Sequence, residues 1–231
     1  MSGQSFIITG ATGPVAPAVV AALAERGDRL LLTGRNEERL RLLEKEFGKP
    51  GEVEVFVGDI GVPEQARAAA AQARERFGRL NGLVHLVGGF HAGPVQMSDE
   101  SAYTSMFHTN VMTAVTATKA VLGQVTPPAY LVYMASILAL EPLPGMTAYT
   151  ATKAALLALV RGLAHEVKGR GIHANAIVSS MVDSPHARAS RPTCPSRPTW
   201  NASPACAATG SAGSTPSSAM PGRSRTCPTP S

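Results

Sequence analysis

Short aliphatic and β-branched runs alternate along the chain with longer segments of helical periodicity. The runs Phe6 to Thr9, Arg29 to Thr33, Val53 to Val57, Leu83 to Val87, Tyr130 to Met134 and Ala174 to Val178 read as strands buried on both faces. Between them Val15 to Arg26, Asn36 to Phe47, Pro63 to Phe77, Ser101 to Leu122 and Ala148 to Lys168 read as amphipathic helices. Pro63 suits a first helical position, and Gly169 and Gly171 act as stop signals. Strict alternation of this kind predicts an α/β domain: one doubly wound parallel sheet, right-handed crossovers and helices on both faces. A ligand then binds beyond the carboxyl ends of the strands, where strand order reverses.

The pattern ends near Asp183. From there to Ser231 no Leu, Ile, Val, Phe, Tyr, Lys, Glu or Gln occurs, and Pro, Ser, Thr, Ala and Arg dominate. Such a stretch buries too little apolar surface to offset roughly 1–2 kcal/mol per residue of backbone ordering entropy. The expected organisation is therefore a folded domain over residues 1–186 and a low-complexity, disordered tail over residues 187–231. The same Pro/Arg/Ala/Ser/Thr mixture is what a GC-rich gene yields in a wrong reading frame, so the tail is also read as a frameshift product. Coding DNA in which a one-base shift near codon 188 restores no Leu/Val-rich continuation refutes that origin.

Charge follows the same division. The formal charge is +5, but the last stretch holds five arginines (188, 191, 197, 223, 225) and no acid, which leaves residues 1–183 neutral. A basic tail without aromatic interleaving argues against a nucleic-acid partner. The three cysteines (194, 206, 227) lie in that tail too, in no metal-ligand spacing, and no metal site is expected. The chain shows neither a secretory signal at its start nor an apolar run of the ~18–20 residues a bilayer requires, so a cytoplasmic protein without membrane contact is expected.

Two clusters carry chemistry. The first, Thr9-Gly10-Ala11-Thr12-Gly13, follows the first strand and opens a helix. Gly10 permits a tight turn, Gly13 lets backbone N–H groups approach a pyrophosphate, and the helix start favours that anion. In the second, Tyr149 and Lys153 stand four apart on one helix face. A free phenol ionises near pH ~10 and is a poor acid or base at neutrality, so an adjacent ammonium is expected to lower it. Ser136 falls just past the fifth strand, where its hydroxyl can hold a substrate oxygen beside the phenol.

With these motifs in this order, the chain resembles the short-chain dehydrogenase/reductase family over residues ~5–186. The resemblance implies a Rossmann-type fold in which Asn110, Ser136, Tyr149 and Lys153 are catalytic. It implies that Thr9, Gly10, Thr12, Gly13, Asp59, Gly88, Ser184, Tyr149 and Lys153 contact the cofactor, with Asp59 near the adenine and Ser184 at the nicotinamide amide. Hydride would pass between a nicotinamide cofactor and a carbonyl or secondary alcohol. Tyr149 would supply the proton, Ser136 would orient the oxygen, Lys153 would bond the ribose hydroxyls, and Asn110 would hold a water leading from Lys153 to solvent. The partner is a small-molecule substrate, and family members are commonly homo-oligomers.

The chain departs from the family in places. Pro14 and Ala16 stand where the usual glycine pattern closes, Ser179-Ser180 replaces Pro-Gly after the sixth strand, and His85-Leu86-Val87-Gly88 replaces Asn-Asn-Ala-Gly. His85 is expected to pack, or else to take over the missing asparagine contact. Arg35 stands where an NAD-selective site places a carboxylate, and a guanidinium there can pair with a 2′-phosphate, so NADP is expected ahead of NAD. The altered tail motivates an alternative, a nucleotide-binding relative with impaired catalysis.

Overall fold

A computed structural model describes residues 3–49 and 51–180. The expectations for Ser184 and for residues 187–231 therefore fall outside the described residues.

Among the described residues six parallel strands form one sheet: β1 (Ser5–Thr9), β2 (Arg29–Gly34), β3 (Val53–Val57), β4 (Gly82–His85), β5 (Ala129–Ser136) and β6 (Ile172–Ser179). Their order is β3-β2-β1-β4-β5-β6, so the direction of winding reverses between β1 and β4. That switch point lies directly above the glycine turn. Helices α1 (Ala16–Glu25) and α2 (Glu37–Phe47) cover one face, packing Val20, Leu40 and Leu43 on Phe6, Ile8, Leu30 and Leu32. On the opposite face, α3 (Pro63–Phe77), α5 (Thr113–Leu122) and α6 (Thr147–Val167) pack on Ile7, Leu31, Leu83 and Leu131. Ile7, Ile8, Leu30, Leu31, Leu32, Leu83 and Leu131 are all essentially inaccessible to solvent. Consecutive buried positions are what a sheet sandwiched between two helical layers demands.

Local signals set the helix ends. Asn36 caps α2 by accepting from the Arg39 amide at 2.9 Å, and Pro63 opens α3. Gly78 and Gly171 adopt left-handed conformations at φ 68°, after α3 and after the 3₁₀ turn Lys168–Arg170 that follows α6.

Three expectations need correction. The segment expected as one helix from 101 to 122 is α4 (Glu100–Phe107) and α5 separated by a π turn over His108–Met112. The Thr113 amide reaches back to the His108 carbonyl, and the Thr113 hydroxyl donates to the Thr109 carbonyl at 2.6 Å, which accommodates the extra residue. β4 ends at His85, short of Val87, because after the bond from the Leu86 amide to the Thr9 carbonyl the chain passes over the Gly10 turn. β6 is not buried on both faces: Ile172 and Ala174 are inside while His173, Asn175 and Ile177 are exposed, since α1 and α2 lie over the other end of the sheet.

Candidate active site

Gly10 turns the chain out of β1 at φ 68°, and a Cβ there would stand 2.8 Å from the Val87 nitrogen. Only glycine allows β4's continuation to cross so closely. The turn is held to β2 by the Ala11 amide on the Thr33 carbonyl at 3.0 Å, and closes on itself through the Gly13 amide and the Gly10 carbonyl at 2.9 Å. Beyond it opens a cleft of about 310 Å³ lined by Gly10, Thr12, Gly13, Arg35, Asp59 and Gly88. Those six of the expected cofactor-contacting residues thus share one wall system. Thr9 does not reach the cleft: it is fully buried, with its hydroxyl on His85 Nδ1 at 2.8 Å.

Asp59 lies two residues past β3, not at its end, and its carboxylate accepts from the Gly61 amide at 2.8 Å. Arg35 follows β2 directly at the mouth of the cleft. Sequence reasoning missed Arg39, one turn into α2, whose guanidinium donates to the Thr12 carbonyl at 3.3 Å. Its signal was present in the Asn36 cap, which fixes the direction in which α2 leaves the cleft.

The four expected catalytic residues converge at the other end. Ser136 closes β5 at 4% exposure, and its hydroxyl accepts from the Leu138 amide at 3.3 Å. Lys153 is as buried, and its ammonium donates to the Met134 carbonyl at 2.9 Å while standing 5.8 Å from the centre of the Tyr149 ring. A Cβ on Gly88 would lie 3.2 Å from both Lys153 Nζ and Asn110 Oδ1, so this glycine joins the cofactor cleft to the catalytic group. Phe90 meets Tyr149 edge-on with ring centres 5.1 Å apart.

Asn110 occupies the π turn, fully buried. Its carbonyl accepts from the Gly89 amide at 2.7 Å, while its amide donates to Thr152 Oγ1 at 2.9 Å and to the Gly89 carbonyl at 3.2 Å. The side chain thus clamps the loop after β4 onto α6.

Electrostatics also differ from expectation. Burial pushes the Tyr149 phenol above its usual value, with the hydrogen bond to Ser136 acting in the opposite sense. Burial likewise draws Lys153 down to about 8, and draws His85 to about 3 with the Lys153 charge adding to the effect. His85 is therefore neutral near pH 7. It packs between elements as expected, and does not enter the cleft lining.

The sheet and its order agree with comparison to known proteins. The family model for short chain dehydrogenases matches residues 4–195. The chain belongs to the short-chain dehydrogenase family. The oxidoreductase UcpA of Escherichia coli K12 is 31% identical over 193 residues, spanning 81% of this chain and 72% of that protein. An uncharacterised oxidoreductase of Staphylococcus saprophyticus is 28% identical over 183 residues, or 78% of each chain. Among solved structures, a dehydrogenase/reductase from Sinorhizobium meliloti 1021 superposes with TM-score 0.75 at 26% identity, covering 82% of this chain and 79% of that one. A short-chain dehydrogenase/reductase from Brucella melitensis, at TM-score 0.78 and 23% identity over 82% of this chain and 77% of that one, shares the fold.

This short-chain dehydrogenase is accordingly an oxidoreductase of a family that works with NAD(P) on small molecules. Among its described residues no helix is long and apolar enough to cross a membrane.

Proposed function

We propose that this chain reduces a carbonyl, and oxidises the corresponding secondary alcohol, with NADP held in the cleft between Gly10 and Gly88, and that residues 1–186 supply the apparatus. The observation that carries the reading is the meeting of the two motifs: Gly88 lines the nucleotide-sized cleft and stands against Lys153, which in turn lies over the Tyr149 ring. The cleft also fits the group chemically. Thr33 Oγ1, buried at the end of β2, lines it without a hydrogen-bond partner among the described residues, so a bound hydroxyl or ring nitrogen would satisfy it.

When bound, reduced nicotinamide supplies the hydride. Glycine-turn amides at the start of α1 would face the pyrophosphate, although Pro14 and Pro17 contribute no N–H there. Asp59 would stand beside the adenine. The family resemblance adds Ser184 at the nicotinamide amide. Ser136 holds the substrate oxygen and Tyr149 protonates it; the raised phenol is loaded with its proton throughout the neutral range, which suits the reductive direction. Lys153 bonds the ribose, and Asn110 fixes the floor beneath it. Phe90 and the exposed Leu140 and Leu143 favour a lipophilic carbonyl.

Cofactor choice rests on Arg35. The expected result is a kcat/KM for NADPH at least tenfold above that for NADH, and an Arg35→Ala variant that loses about tenfold with NADPH alone, the scale of one charge-assisted contact of ~1.4 kcal/mol. A wild type that prefers NADH removes Arg35 as selector. Failure to oxidise NADPH or NADH with any aldehyde or ketone of a broad panel overturns the reaction itself.

A further inference from the structure

We propose that His85 is a positioning residue that sets the separation between the glycine turn and the π turn, and through it the shape of the cofactor cleft. The inference rests on the nicotinamide reading above. His85 faces Thr9 across the β1–β4 ladder, and its ring bridges two threonines from different elements, with Nδ1 2.8 Å from Thr9 Oγ1 and Nε2 3.3 Å from Thr113 Oγ1.

The directions of these bonds can be assigned. The Thr113 hydroxyl spends its hydrogen on the Thr109 carbonyl, at 2.6 Å, so toward the ring it accepts. Nε2 must then carry the ring proton, and in a neutral imidazole Nδ1 is left to accept from the Thr9 hydroxyl. Burial and the Lys153 charge both keep the ring neutral. The result is one ordered chain, Thr9 Oγ1–H to His85 Nδ1, His85 Nε2–H to Thr113 Oγ1, Thr113 Oγ1–H to the Thr109 carbonyl.

Each end of that chain abuts the cleft. Thr9 immediately precedes Gly10, and its carbonyl receives the Leu86 amide as β4 leaves the sheet. Thr109 and Thr113 both line the cleft, flanking Asn110 in the π turn. A rigid ring between them ties the end of β1 to the π turn and α5. Loss of the tie should therefore be felt as weaker cofactor binding, not only as lower stability.

The test is a fluorescence titration of the full chain with NADPH, accompanied by thermal unfolding of each variant. His85→Phe and Thr113→Val should each raise the NADPH Kd about tenfold. The double variant should be little worse than either single one, because both break the same chain. Thr113→Ser, which keeps the hydroxyl, should restore binding. Thr118→Val removes a buried hydrogen bond to Tyr133 from the middle of α5, away from the cleft lining, and measures stability loss alone; its Kd should stay within twofold of wild type. Where His85→Phe does not fold, the Thr113 pair decides. Folded variants whose Kd is unchanged, or whose effects multiply in the double variant, overturn the positioning role while leaving the nicotinamide reading intact. A wild type that does not bind NADPH overturns both.

Discussion

Tyr149→Phe should lower turnover by about 10²- to 10⁴-fold while leaving NADPH binding within a few-fold of wild type, the range that positioned acid–base catalysis commonly supplies. The substitution removes one oxygen and keeps the ring. The edge-on contact with Phe90 is therefore preserved, and so is the packing that places α6. Burial holds the phenol above its ordinary value, so near pH 7 it carries the proton that a reduced carbonyl oxygen needs. Steady-state rates with a lipophilic ketone, paired with an NADPH titration, check both halves of the expectation. Retained turnover would take the proton-donor role from Tyr149.

Lys153→Met should abolish turnover to a similar degree and, unlike most core substitutions, make the protein more stable. The wild-type ammonium is buried at 4% exposure and its folded pKa lies near 8, against 10.5 for the free side chain. The sign follows from proton counts: between those values the unfolded chain binds more protons than the folded one, so stability rises with pH across that window. Below it the full penalty is present. A methionine of similar length removes that penalty but leaves the Met134 carbonyl without its donor, a cost of roughly 1–3 kcal/mol. The net gain is then on the order of 1 kcal/mol below pH 8, or a few degrees in Tm, and shrinks toward pH 10.5. Thermal unfolding at pH 7 and pH 10 checks it. A Lys153→Met chain less stable at both would mean that the ammonium is a net stabiliser and that its burial costs little. Selection for function explains why such a charge persists.

How far these features were legible in the sequence varied with the distance between the interacting residues. Tyr149 and Lys153 were legible because four-residue spacing on a helix is enough to place them on one face. Gly10 was legible because a turn that tight needs a residue tolerant of positive φ. The strands of the central sheet showed as apolar runs since both faces are covered, whereas β6, at an edge of the described sheet, mixes buried Ile172 with exposed Ile177.

What stayed hidden depends on contacts between distant segments. The break between α4 and α5 leaves no mark in the hydrophobic pattern, because it is accompanied by Asn110 binding a loop 21 residues earlier and Thr152 42 residues later. The bridge from Thr9 to Thr113 through His85 requires the β1–β4 register, which places residues 76 apart side by side. The direction of the Tyr149 shift was likewise invisible. Spacing gives the nearness of an ammonium, but only the fold shows that the phenol is buried.

Proton delivery by Tyr149 beside a bound nicotinamide can be followed through the companion hydride. Single-turnover incubation of the full chain with NADPH carrying two deuterons at nicotinamide C4 and a lipophilic ketone, read by mass spectrometry of the alcohol formed within the wild-type reaction time, is the most direct measurement. Deuterium on the carbinol carbon is expected from the wild type and its near-complete loss from Tyr149→Phe. Deuterium-free product from the wild type, or undiminished transfer in the variant, contradicts the catalytic assignment.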